Sequence, residues 1–186
     1  KEEPKAPPII LTYVGRLIKD KGIEVLINAF EQVSKDNNNI KLLIAGKIDY
    51  SNPSAITEKY LESKLNKNII WLGEVLDIKK LWQRSHIAVL PSRREGLPKS
   101  LLEAAASGKP IIATDVPGCR EIAINEVNAI TIPLDNEGEL VKAIKILSEN
   151  ENMRMKYGLK SREIVEKDMS EEVIINKTIS IYENHI

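Results

Sequence analysis

The chain has 186 residues, 42% of them apolar, and its 27 basic and 27 acidic side chains balance to zero net charge. That size and apolar content suit one domain with a substantial core, and neutrality removes the basis for a general affinity for nucleic acid or anionic lipid. A single cysteine, Cys119, excludes an internal disulfide and fits a reducing compartment, and there is no signal-peptide pattern and no apolar run near the ~18 residues that a membrane span needs.

Residues 1–8 are charged and hold three prolines, which reads as a linker. The lack of an initiating Met suggests a piece of a longer protein. The run Ile9 to Val14 predicts a buried strand ended by Gly15. Ile23, Leu26, Ile27, Phe30 and Val33 then recur at helical spacing. Ile40 to Ala45 predicts a second strand ended by Gly46, followed by a helix over about Pro53 to Leu65. Ile69 to Leu72 predicts a third strand ended by Gly73, and Asp77 opens a short helix reaching Arg84. His86 to Leu90 predicts the fourth strand. Beyond it, Pro98 suits the first position of a helix that runs through Leu101 to Ala106 and stops at Gly108. Ile111 to Ala113 predicts the fifth strand, with a turn at Pro117-Gly118, and Ala129 to Ile132 the sixth. Leu140, Ala143, Ile144 and Leu147 form another helical stripe, and further helices are expected over about Glu151 to Lys167 and Glu171 to Asn184.

Strands alternating with helices imply an α/β, doubly wound, Rossmann-like domain with a parallel six-stranded sheet, here residues 9–168. Residues 169–186 are expected to form a separate C-terminal helix. The expected strand order is 3-2-1-4-5-6. Its switch point lies between strands one and four, and ligands bind there at the carboxyl ends. The loops after those strands carry the informative residues. Glu95 sits in the loop and Glu103 in the second helical turn, eight positions on. Leu97 cannot cap that helix with its side chain, so the N–H groups of Lys99 to Leu101 are expected to be free for an anion, which the helix dipole favours. Arg16 and Lys21, after strand one, add a planar fork and a flexible point charge. Two cations, free amides and two carboxylates together look like a grip on a phosphorylated, hydroxyl-rich ligand. Taken singly, Glu95 and Glu103 read more plainly as a solvated loop glutamate and an ordinary helical one, whereas surface charge beside a turn is the lesser reading of Arg16 and Lys21.

Other chemistries fit less well. Gly15 and Gly22 do not make the Gly-x-Gly-x-x-Gly of a dinucleotide site, and a Walker loop is absent. Two carboxylates on one short segment beside cations make a poor acid and base pair for glycoside hydrolysis. His86 reads as core or edge filler. No His, Cys and carboxylate grouping has metal-ligand spacing and no Asp-x-Asp motif is present, so no metal or other cofactor is expected.

The segments Val14-Gly15-Arg16-Leu17 with Lys21-Gly22, Leu42 to Gly46, Trp71-Leu72-Gly73, Leu90-Pro91-Ser92 with Glu95-Gly96-Leu97-Pro98 and Glu103-Ala104, and Gly108 to Gly118 together resemble the carboxyl-terminal domain of the GT-B glycosyltransferases of family four. The likeness covers about Ile9 to Tyr182. Its form at Arg94 to Pro98 and at Pro117 to Glu121 is most similar to bacterial enzymes of O-antigen, capsule or lipopolysaccharide synthesis. The resemblance implies retaining transfer of a sugar from a nucleotide-diphosphate donor, with a lean to UDP. It also implies roles. Gly15, Arg16 and Lys21 would meet the diphosphate, and Glu103 the ribose. Glu95, as the catalytic-site carboxylate, would face the donor sugar with Gly96, Leu97 and Pro98, and the loop Gly73, Glu74, Val75 and Leu76 would meet the base. These enzymes place the acceptor site, for a glycan or lipid-linked glycan, in an amino-terminal domain that this chain lacks. The chain therefore reads as a donor-binding half, unable to transfer alone. The stripe Ile175, Ile179, Tyr182 and Ile186 is a candidate contact to the missing half. A cytoplasmic location is expected, with peripheral attachment at the inner membrane face open for a longer protein. The alternatives are a nucleotide-sugar 2-epimerase half-domain and a non-catalytic nucleotide-sugar-binding module.

Overall fold

Six short runs rich in Ile, Leu, Val and Ala become six parallel strands, most fully buried where they lie inside the sheet and only partly so at its edges. The computed structural model describes residues 8–169 and residue 175. The strands are β1 (Ile9–Val14), β2 (Ile40–Ala45), β3 (Ile69–Gly73), β4 (Ile87–Leu90), β5 (Ile111–Thr114) and β6 (Ala129–Ile132). They pair in parallel in the order β3-β2-β1-β4-β5-β6, the order expected from the sequence. Every residue of β4 and β5 is buried.

The helices are α1 (Ile23–Asp36), α2 (Glu58–Lys64), α3 (Ile78–Arg84), α4 (Lys99–Ala106), α5 (Pro117–Arg120), α6 (Glu137–Glu149) and α7 (Glu151–Asp168). Four start where a short polar side chain accepts a first-turn amide. Thr57 accepts from Tyr60, Asp77 from Lys80, Asn136 from Glu139 and Asn150 from Met153, at 2.9 to 3.1 Å. α1 has no such cap. It begins instead at Gly22, whose φ of 72° lies in the left-handed region, and a Cβ there would stand 1.9 Å from the Pro91 carbonyl oxygen. Only glycine satisfies both demands. The loop after β1 is thereby pressed onto the loop after β4, and those are the two loops that matter for function.

The core is one large cluster against the sheet, with a small separate one formed by Leu43, Ala45 and Leu81. Tyr13, Phe30 and Trp82 are its largest fully buried side chains. Asn128 is a buried polar knot within it. Its Oδ1 accepts from the Ile124 amide, and its Nδ2 donates to the Ile122 carbonyl and to Ser161 on α7.

Several local expectations need correction. Pro98 is the residue before α4, not its first member. Its φ of −72° suits either place, but a ψ of 105° keeps its backbone extended, and its carbonyl accepts from Leu101 and Leu102. The Leu101 amide is therefore occupied rather than free. Pro117-Gly118 opens the short helix α5 rather than a simple turn. α2 starts at Glu58, not near Pro53, because Thr57 supplies the cap. The three residues Lys19–Lys21 form a 3-10 turn that the sequence reading passed over. The expected helix over Glu171 to Asn184, and its stripe, lie outside the described residues except for Ile175, which is exposed.

Candidate functional site

Both key loops leave the carboxyl end of the sheet at the switch point and close on a cleft of about 370 Å³. Gly15, Arg16 and Lys21 line one bank. Glu95, Leu97, Pro98 and Glu103 line the other. A second cavity of about 430 Å³ adjoins it over the ends of β1, β2 and β3, sharing Val14, Gly15, Arg16 and Ile78, and it includes Glu74 and Val75. Gly73, Leu76 and Gly96 line neither space. Leu76 stands 94% exposed.

The charged groups are held by specific partners. Lys21 Nζ lies 2.6 Å from Glu95 Oε1, with the Glu95 side chain 7% exposed. Arg16 Nη1 lies 2.8 Å from Asp49 Oδ2 in the loop after β2, and is itself largely exposed. Glu103 is looser. Its nearest cation among the described residues, Lys99 Nζ, is 3.6 Å away, too far for a hydrogen bond. No backbone or side-chain acceptor takes the Lys99 and Ser100 amides among the described residues. The α4 N-terminus thus presents two open N–H groups beside Glu95 and Glu103, with the positive end of its dipole behind them.

Three supporting residues were missed by the sequence reading. Tyr13, read only as part of an apolar strand, donates its buried hydroxyl to the Arg16 carbonyl at 2.8 Å. Burial, and then the Glu95 charge, push its phenol far above its ordinary pKa, so it stays a neutral donor and fixes the Arg16 turn. Asp49 carries no local signal, because its partner is 33 positions distant. Its carboxyl is held below the usual range by Ser51 and Arg16. Gly118, read as a turn residue, lies directly under the site loop, where a Cβ would stand 2.2 Å from the Gly96 oxygen and 2.4 Å from that of Glu95. Close by, burial and the Glu95 charge push the Cys119 thiol up to about 12, which leaves it protonated and unreactive.

A switch-point cleft with cations on one bank and carboxylates beside a free helix end on the other can hold a phosphorylated polyol. Comparison with known proteins gives that class a family. The model of the group 1 glycosyl transferases matches residues 1–164, and the chain belongs to that family. It is 30% identical over 173 residues to the capsular polysaccharide biosynthesis glycosyltransferase CapM of Staphylococcus aureus, covering 93% of this chain and 45% of that protein. It is 31% identical over 180 residues to the N,N'-diacetylbacillosaminyl-diphospho-undecaprenol alpha-1,3-N-acetylgalactosaminyltransferase of Campylobacter jejuni, covering 96% and 45%. Among solved structures, a mutant of S. aureus TarM in complex with fondaparinux, alpha-GlcNAc-glycerol and UDP superimposes with a TM-score of 0.83 at 26% identity, covering 98% of this chain and 37% of TarM. The chain spans less than half the length of these relatives. Among the described residues no helix is long and apolar enough to cross a membrane.

Proposed function

We infer that this chain is the donor-binding half of a retaining glycosyltransferase that takes a nucleotide-diphosphate sugar, with UDP as the nucleotide, for surface-polysaccharide synthesis. The observation that carries this reading is the convergence of Arg16, Lys21, the open α4 amides, Glu95 and Glu103 on one cleft at the switch point. The family membership, the polysaccharide names of relatives and the UDP in the TarM complex support it.

The residues divide the donor as follows. Arg16, Lys21 and the Lys99 and Ser100 amides neutralise the diphosphate and stabilise the charge that grows on it as the glycosidic bond breaks. Glu103, paired only loosely with Lys99 at 3.6 Å, accepts from the ribose hydroxyls, and Glu95 from the sugar. The second cavity, with its Val14, Ala45, Val75 and Ile78 floor, receives the base beside the backbone of Glu74 and Val75. With two cations and a helix end already facing the phosphates, no metal ion is required. The acceptor glycan would be supplied through the other half of the protein.

Calorimetric titration with UDP, GDP, ADP and their common sugar conjugates tests this. Binding of UDP in preference to GDP and ADP is the expected result. Absence of binding by every nucleoside diphosphate would overturn the reading.

A further inference from the structure

The cation assigned to the diphosphate and the carboxylate assigned to the sugar are bound to each other. Lys21 Nζ donates to Glu95 Oε1 at 2.6 Å, and the two side chains are 20% and 7% exposed. Among the described residues no other cation pairs with Glu95. Its titratable neighbours, Tyr13 and Cys119, are both kept protonated, in part by the Glu95 charge itself, so neither replaces Lys21 as a counterion. Arg16 differs. Its partner, Asp49, lies in the loop after β2 and has no assigned contact with the sugar.

We propose that the Lys21–Glu95 pair makes the site recognise the diphosphate and the sugar as one ligand, and so separates the intact donor from the nucleoside diphosphate left after transfer. The inference rests on the function assigned above. A diphosphate that draws Lys21 away leaves a nearly buried carboxylate without a partner, which is strongly unfavourable. A donor sugar removes that penalty, because its hydroxyls donate to Glu95 as Lys21 leaves. Each half of the donor thus improves the binding of the other, and by linkage the coupling is reciprocal. A nucleoside diphosphate alone must forgo Lys21 or strand Glu95, so the spent product binds less well than the donor and leaves.

The test is a double-mutant cycle on UDP affinity, with wild type, Glu95→Gln, Lys21→Met and the double variant. Glu95→Gln keeps the shape and removes the charge that holds Lys21. It should tighten UDP binding on the order of tenfold, the usual size of such coupling, and leave uridine affinity unchanged. Lys21→Met should weaken UDP. In the Lys21→Met background, Glu95→Gln should alter UDP affinity by no more than about twofold. Plain repulsion between Glu95 and the diphosphate would also tighten UDP when neutralised, but by the same factor with or without Lys21. If Glu95→Gln gives no gain, or the same gain without Lys21, the coupling is overturned while a weakened Lys21→Met variant keeps the site. If UDP, GDP and ADP bind neither wild type nor any variant, the functional reading falls and the inference with it. Should Glu95→Gln fail to fold, Glu95→Asp, whose shorter arm reaches Lys21 less well, replaces it. Unchanged UDP affinity there also overturns the proposal.

Discussion

Arg16 and Lys21 both carry one positive charge toward the cleft, but their surroundings differ. Arg16 is solvated and shares its charge with one exposed-loop carboxylate, whereas Lys21 is mostly buried against Glu95. Charge-assisted hydrogen bonds contribute about 1.5–3 kcal/mol, so Arg16→Ala should weaken UDP binding by roughly tenfold or more, and Lys21→Ala by less, because Glu95 competes for its charge. Glu103→Gln should also weaken UDP, which contains the ribose. Calorimetric affinities that match wild type in all three would refute the assignment. His86 offers a separate test, away from the cleft. Its Nδ1 accepts from the Ile10 amide at 3.1 Å, so the ring must be neutral to fit. Burial foremost, then Arg154 and Lys109, lowers its pKa below the ordinary value. The unfolded chain therefore binds this proton more readily than the folded one. The contribution to stability is full above the unfolded pKa of about 6.5 and is lost as pH falls through that value toward the lower folded one. Urea denaturation at pH 7.5 and pH 5.5 should show a drop that is smaller in His86→Asn than in wild type. An equal drop in both would acquit the histidine.

α5 is short, yet it supports the floor of the site. Gly118 at its second position lets its backbone lie under the Glu95-Gly96 peptide. Gly118→Ala must push that peptide up into the cleft, and UDP affinity should fall severalfold or more while the far end of the sheet is undisturbed. Thr57→Ala makes the matching control. It removes the α2 cap at a cost of about 1 kcal/mol and should lower the melting temperature without altering UDP affinity. Reversal of those two outcomes would show that α5 is a structural element only. The same contrast explains which elements could be read from the sequence. Strands declared themselves as short apolar runs, the first three ended by Gly15, Gly46 and Gly73, and α3 by Asp77, since those signals are local. α5 did not, because Pro-Gly serves a turn and a helix start equally well and the deciding contact lies across the fold at Gly96. The Lys19–Lys21 turn was missed for the same reason. Its shape follows from Gly22 meeting Pro91, a long-range contact that the spacing of its own residues does not show.

For the molecule as a whole, the sheet order and the placement of the two loops followed from strand count and the switch-point rule. The residues that meet at the cleft were legible because their loops had to meet. Their partners were not. Asp49 on the Arg16 side chain, the Tyr13 hydroxyl on the Arg16 carbonyl and Lys21 on Glu95 are contacts decided by packing rather than by pattern. The chain has its own core, and the assigned donor contacts all lie within it. It should therefore bind UDP by itself, but weakly, with a Kd on the order of 0.1–1 mM, about −4 to −5.5 kcal/mol, since the proposed donor half covers only one side of the ligand. It should not transfer sugar, because holding an acceptor against the donor supplies ~7–11 kcal/mol of the barrier and no acceptor site is assigned to these residues. EDTA should leave the UDP affinity intact. Turnover of labelled donor by this chain alone, or a strict magnesium requirement for UDP, would contradict this account.

β1 meets β2 along its whole length, from Ile9 opposite Ile40 to Val14 opposite Ala45, but meets β4 only at Leu11 opposite Ile87 and Thr12 opposite Ala88. That short seam divides the sheet into two halves that are each continuous in sequence, and the cleft straddles it. On a ribosome, β1, β2 and β3 can pair before Ile87 has been made, so the earlier half can form as a unit while the later one is still being synthesised. The cleft is complete only when the two halves are docked, and a ligand that grips both banks stabilises the docked state over the separated one. A nucleotide arriving late in synthesis would thus act on this domain as a folding ligand before it ever acts as a substrate.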